Sequence, residues 1–285
     1  MSDVTLVHSG KVRDVYAYGK DLLLVASDRI SAFDVILPDL IPQKGITLTQ
    51  ISRYWFSELP ETIQSHVISF EVPEDLNKPE WCGRITHCHR TLPMTIECVV
   101  RGYLTGSAWK EYQQTGCVQG FNLPKGLRES EQLPQPLFTP STKAQEGHDE
   151  PLTENEARDV VGDDAYELLR EQSLTIYAWA HKHALERGII IADTKFEFGR
   201  LGDDLILIDE LLTPDSSRFW PASDYAVGRA QASFDKQYVR DYLLGLTDWN
   251  RQAPGPSLPQ EIIEGTQAKY LEAYERVTGE KLRLL

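Results

Sequence analysis

"GIIIADTKFEFGRLGDDLILIDELL", residues 188–212, is the stretch on which the fold turns. Two apolar extended runs flank "GRLGDD", whose glycines and aspartates favour a tight reversal, so the stretch predicts an antiparallel strand pair over 189–211. By the two-residue strand period, Asp193, Lys195 and Glu197 share one face of the first run, and Leu205, Leu207, Asp209 and Leu211 share one face of the second. If the register pairs residues whose numbers sum to an even value of about 404, Lys195 lies opposite Asp209. Glu197 then sits diagonally from Asp209 at roughly 7 to 8 Å, close enough for both carboxylates to reach one ion. A sum shifted by one separates them. Two carboxylates at the edge of an apolar sheet are costly to desolvate unless neutralised, as Mg2+ held by carboxylates and substrate phosphates would do. A solvated sheet face with a Lys195–Asp209 cross-strand pair accounts for the same pattern.

Upstream of this stretch the chain reads mostly as strands. "KVRDVYAY" and "LLLVASD" flank the turn signal "GKD", and "MTIECVVRGYL" looks like a buried strand. Between them Leu48, Ile51, Trp55 and Leu59 recur at helical spacing, with Pro60 marking the end. "SAWKEYQQTG" predicts a short helix closed by Gly116, followed by a Pro- and Gly-rich loop to about residue 150, longer than connectors usually are. Two helices follow, the first opened by a capping box of Thr153 and Glu156 and the second ended by Gly188; the tail adds helices near 235–245 and 259–278. The expectation is an α+β protein of two lobes, a strand-rich lobe over 1–98 and a mixed lobe over 99–285, with a cleft between them as the default site.

The formal charge of −14, from 29 basic and 43 acidic residues, disfavours nucleic acid and anionic membranes as partners. No signal-peptide pattern and no membrane-length apolar run appear, so a soluble, cytoplasmic protein with reduced thiols is expected. "WCGRITHCHR" gathers Cys82, His87, Cys88 and His89, but neighbours in an extended segment point to opposite faces and no second ligand pair lies at zinc spacing. In "SGKVRDVY", Gly10 adjoins Lys11, with Arg13 on the same side of an extended chain. That arrangement can take a polyphosphate, although it matches neither the Walker nor the dinucleotide fingerprint and a solvated edge hairpin is the more common reading.

Seven ordered stretches carry a resemblance: "GKVRDVY", "SDRISAFDVILP", "IPQKGITLTQIS", "VVRGYLTGSAWKEY", "FTPSTKA", "ADTKFEFG" and "DELLTPDSSRFWP". Together they resemble the phosphoribosylaminoimidazole-succinocarboxamide synthase (SAICAR synthetase) family, whose fold is related to ATP-grasp enzymes. The resemblance implies an ATP-dependent ligase that joins L-aspartate to the carboxylate of carboxyaminoimidazole ribonucleotide. ADP and phosphate are released, and an acyl phosphate forms on the way. It implies that Gly10, Lys11 and Arg13 lie over the ATP phosphates, that backbone groups of Glu97 to Val99 meet the adenine, and that Glu197 and Asp209 hold Mg2+. Arg101, Ser107 and Arg218 would meet the ribonucleotide's own phosphate, while Asp28, Arg29, Ser31 and Asp34 line the cleft. Lys143, His148 and Asp149 belong to a loop that closes over substrate, although Pro151 and Leu152 depart from the Asn and β-branched residue common there. Lys11, Arg13, Lys195 and Asp215 are the expected catalytic set, with Asp215 and Arg218 carried to the substrate by "TPDSSR". Small-molecule substrates and a monomer or small homo-oligomer complete the expectation. A small-molecule kinase and a non-catalytic nucleotide-binding module are the rivals: the first needs no aspartate, the second no turnover.

Overall fold

The computed structural model describes residues 4–143, 149–234 and 236–283. It is an α+β chain of antiparallel sheets and helices that divides into two compact units. One unit comprises Met1–Thr91, Glu210–Asp215 and Phe234–Leu285, the other Leu92–Asp209 and Ser216–Ser233. This differs from the expected 1–98 and 99–285 division, because the C-terminal segment counts with the N-terminal strands.

The first unit opens with strands β1 (Val4–Ser9), β2 (Arg13–Tyr18) and β3 (Asp21–Ala26), followed by the hairpin β4 (Arg29–Ala32) and β5 (Val35–Leu40). Helix α1 (Lys44–Glu58) comes next, then β6 (Val67–Ser69) and β7 (Ile85–His89). The strands form an antiparallel sheet in the order β1-β2-β3-β7-β6, with β4 and β5 paired separately. "SDRISAFD" is thus a hairpin. Its turn residues Phe33 and Asp34 have φ of 52° and 61°, as a two-residue primed turn requires. Helix α1 stops where the residue before Pro60, Leu59, is pushed into extended backbone. On β7 the alternation holds: Cys88 is buried, whereas His87 and His89 both face Asp21.

The second unit is built on two long strands. In chain order it contains β8 (Leu92–Pro93), β9 (Ile96–Tyr103), α2 (Gly106–Thr115), β10 (Cys117–Val118), β11 (Phe121–Asn122), β12 (Gln132–Phe138) and β13 (Ser141–Thr142). Then come α3 (Glu154–Val161), α4 (Asp163–Leu185), β14 (Ile189–Leu201), β15 (Asp204–Ile208) and β16 (Ser217–Pro221). The stretch expected to be a structureless loop to about 150 therefore carries four short strands, β12 and β13 pairing with β9. Strand β14 is the axis, with β9 beside residues 193–196, β16 beside 189–194 and β15 beside 197–201. Its residues Ile189–Asp193 are all buried, as strands covered on both faces must be. Helix α3 carries the expected capping box, Thr153 with Glu156, and α4 buries Tyr166, Leu169, Ile176, Tyr177 and Ala180.

Two further helices, α5 (Gln237–Leu244) and α6 (Gln260–Thr278), return to the first unit. Their Val239, Leu243, Ile262 and Tyr270 join Ile30, Leu37, Ile41 and Leu48 in one apolar cluster. Burying each Leu or Ile is worth roughly 1.5–3 kcal/mol, and that is what ties the tail to the N-terminal strands. Among the described residues no helix is long and apolar enough to cross a membrane.

Candidate active site

The hairpin of 188–212 forms, but in the other register. Glu197 pairs with Ile208 and Phe198 with Leu207, so partner numbers sum to an odd value and Lys195 does not stand opposite Asp209. Strict alternation would then put Glu197 and Asp209 on opposite faces. The backbone resolves this at Asp209, whose φ of 65° takes it out of the ladder immediately after β15. Aspartate is among the few residues that enter this left-handed region readily. The charges of both Glu197 and Asp209 consequently act on the Lys195 ammonium. Burial works against the charge on Lys195, but Glu97, Glu197 and Asp209 outweigh it and hold its pKa above the usual lysine value. The direct partner of Lys195 Nζ is Glu97 Oε1 at 2.6 Å. Burial raises the Glu97 pKa, opposed by that lysine. Glu197 is ion-paired with Lys143.

Along β9, Glu97, Val99 and Arg101 project to one face and line a pocket of about 330 Å3 with Ser107, Glu111, Gln119, Thr139, Ser141, Asp149 and Pro151. The residues expected to meet adenine lie within the sheet. Glu97 stands opposite Ser141, Val99 stands opposite Lys195, and the Val99 carbonyl accepts from Thr139 N at 2.8 Å. That carbonyl is already engaged by the sheet. Gly102 follows Arg101 because an added Cβ would lie 1.8 Å from the Tyr177 hydroxyl, which donates to Ile191 O.

Arg101 Nε donates to Thr139 Oγ1 at 3.1 Å, and its Nη1 donates to Asp193 Oδ2 at 2.9 Å. Arg218 donates to the same carboxylate oxygen. Asp193 thus holds two guanidiniums together beside Ser107. It was placed on the face of Lys195 and Glu197 from sequence, but its bridging role was not read. Arg218 also lies against Gly106, where a Cβ would fall 2.7 Å from Nη2 and φ is already +60°. Gly106 opens α2, and the N-cap residue Thr105 makes no side-chain capping bond.

In the first unit, the turn between β1 and β2 brings Gly10, Lys11 and Arg13 together, as expected. Gly10 N donates to Arg13 O at 2.7 Å, Lys11 pairs with Asp34, and Arg13 pairs with Glu210 at 3.3 Å. Three other expected site residues have structural partners. Arg29 clamps this turn: it donates to Gly10 O, Lys11 O and Asp14. Asp28 accepts from Gly45 N in the first turn of α1 and from Arg84, so it fixes the helix start. Asp215 lies within the first unit. Its side chain is 3% exposed and meets Lys44 Nζ at 2.7 Å, Lys236 Nζ at 3.2 Å and Tyr270 Oη at 2.7 Å. Burial raises its pKa, yet Lys236 and Lys44 prevail and hold it below the usual carboxylate value. Lys44, Lys236 and Tyr270 went unread as partners of Asp215; Lys44 and Tyr270 meet it across separations of 171 and 55 residues. Ser31 lies on β4 opposite Ile36. His148 lies outside the described residues.

A SAICAR synthetase family model matches residues 6–256. A phosphoribosylaminoimidazole-succinocarboxamide synthase of Desulfosudis oleivorans is 52% identical over 97% of this chain and 96% of its own, and one of Salinispora tropica is 51% identical over 97% and 99%. Among solved structures, a Saccharomyces cerevisiae SAICAR synthase complexed with SAICAR superposes with a TM-score of 0.89 at 43% identity, covering 99% of this chain and 97% of that one. A SAICAR synthetase in complex with ADP gives 0.74 at 25% identity, covering 99% and 100%. The chain is a carbon–nitrogen ligase of purine biosynthesis. It belongs to the SAICAR synthetase family, and its reaction is the ATP-dependent ligation of L-aspartate to carboxyaminoimidazole ribonucleotide, giving SAICAR, ADP and phosphate.

Proposed function

We propose that the Arg101–Asp193–Arg218 bridge, with Ser107, holds the ribonucleotide's 5′-phosphate. The observation that carries this reading is a single carboxylate fixing two guanidiniums beside a polar pocket, since guanidinium forks match phosphate geometry. The relative solved with SAICAR and the one solved with ADP support product and nucleotide as the ligands of this chain. Lys11 and Arg13, on the glycine-bearing turn, take the ATP phosphates. Small molecules are the only partners required, and the reaction runs in the cytoplasm in a monomer or small homo-oligomer.

Glu197 and Asp209 fit Mg2+ by the chemistry of their donor set. Both carboxylates act on one ammonium, and the described residues contain no cage of three or more ligands, as suits an ion that keeps waters and is held by one or two carboxylates. When bound, Mg2+ neutralises charge on the transferring phosphoryl group. A carboxylate is a poor electrophile, so phosphorylation of the ribonucleotide carboxylate to an acyl phosphate precedes attack by the aspartate amine. Lys195, held charged by its acidic neighbours, steadies the negative charge that develops in this exchange, and the arginine pair fixes the ribonucleotide against drift.

The test is ADP release with each substrate omitted in turn. Sustained release should require both the ribonucleotide and L-aspartate, and sustained release without aspartate would instead indicate a kinase. Glu197→Gln and Asp209→Asn should each lower turnover about 100-fold or more while leaving thermal unfolding unchanged. Normal Mg2+-dependent turnover in either variant removes the metal assignment.

A further inference from the structure

Lys143 occupies a position that the metal reading does not explain. It directly follows β13, its backbone N–H bonds to Thr95 O at 3.2 Å, and its ammonium is ion-paired to Glu197. The side chains are 34% and 16% exposed, so the contact is partly withdrawn from solvent and less screened than a surface pair.

Around it the carboxylates of Glu97, Glu197, Asp209 and Asp149 and the ammoniums of Lys195 and Lys143 act on one another. Glu197 is the carboxylate that Lys143 and the cation would share. An ion that binds Glu197 with the 2.0–2.1 Å bonds of Mg2+ would meet Lys143 Nζ around the same carboxylate, where two cations repel strongly.

We propose that Lys143 is an internal counter-ion of Glu197 that is exchanged for the divalent cation, so that cation binding and release of the Lys143 ammonium are one event. This rests on Glu197 and Asp209 being the cation ligands. Until the cation arrives, Lys143 holds Glu197 in place. It sets a threshold for cation binding, because the ion must displace it. By thermodynamic linkage, the cation weakens the lysine pair by the same factor by which the lysine weakens cation binding.

The experiment measures Mn2+ binding directly, from the electron paramagnetic resonance signal of free Mn2+, at saturating ADP with no turnover. Lys143→Met should bind Mn2+ about fivefold more tightly than the unaltered chain, the worth of one partly exposed ion pair. Lys143→Arg keeps the charge and should bind as the unaltered chain does. Glu197→Gln should bind Mn2+ much more weakly. If Lys143→Met binds Mn2+ equally or more weakly while Glu197→Gln still loses affinity, the exchange is wrong and the metal assignment stands. If Glu197→Gln retains full Mn2+ affinity, the metal assignment fails and the exchange fails with it.

Discussion

Both units of this chain place one aspartate between two cationic side chains, to different ends. In the first unit Asp215 is 3% exposed, between Lys44 at 0% and Lys236 at 14%, and Tyr270 completes its hydrogen bonds. In the second, Asp193 sits between Arg101 and Arg218, and Arg218 is 29% exposed. Ammonium groups closed over a carboxylate in an apolar core make a lock. Planar guanidiniums held by one edge beside a pocket make a receptor, since each carries five donors in a fixed fork. Sequence composition does not separate the two arrangements; burial does.

The comparison breaks most decisively at Asp215. Asp215→Ala leaves two ammoniums facing each other in the core, and urea unfolding should show a loss of about 3–5 kcal/mol. The Michaelis constant for ribonucleotide should stay near that of the unaltered enzyme. A folded, fully stable variant with a raised Michaelis constant would make Asp215 a substrate contact after all. Arg218→Ala should do the reverse: kcat/KM for the ribonucleotide should fall about 10- to 100-fold with thermal unfolding little changed. Gly106→Ala sharpens the receptor side. The added Cβ strains a left-handed position and presses on Arg218, so steady-state kinetics should show about a tenfold rise in the ribonucleotide Michaelis constant, while ATP is unaffected. The mildest effect is on the acid limb of stability. Asp215 has a depressed folded pKa, so its contribution is complete above the ordinary value of 3.8 and is lost as pH falls towards the folded value. From pH 4 to 3, urea midpoints should report a loss of about 1 kcal/mol that is absent in Asp215→Asn.

The hairpin around Gly202, the capping box at Thr153 and the helices near 235–245 and 259–278 were legible because local chemistry announces them: turn residues, caps and apolar periodicity. The family motifs pointed to Arg101, Ser107 and Asp149, which line one pocket, and to Glu197 and Asp209, whose charges both act on Lys195. Register was not legible, because a one-residue slip keeps the same residues apolar along each run and only the fold's packing selects between slips. Nor was the left-handed turn at Asp209, which rescues the proximity of two carboxylates that the observed register would have parted. The structural contacts of Arg29 and Asp28 were not legible for a related reason. A motif records that a residue is needed, and they are needed to hold the Gly10 turn and the start of α1. The pairing of the tail with the N-terminal strands depends on contacts between residues such as Leu48 and Ile262, which no local window contains.

The interleaved course of the chain has a consequence for its manufacture on the ribosome. The second unit is fully synthesised once Ser233 has been added, whereas the first still lacks α5 and α6. Until Lys236 and Tyr270 emerge, the Asp215 carboxylate has only Lys44 of its three partners. The earliest strands to leave the exit tunnel must therefore wait for the last helix before their unit can close. Premature termination between Ser233 and Gln260 would yield one finished half and one half with its apolar surface uncovered, a ready target for chaperones and proteases.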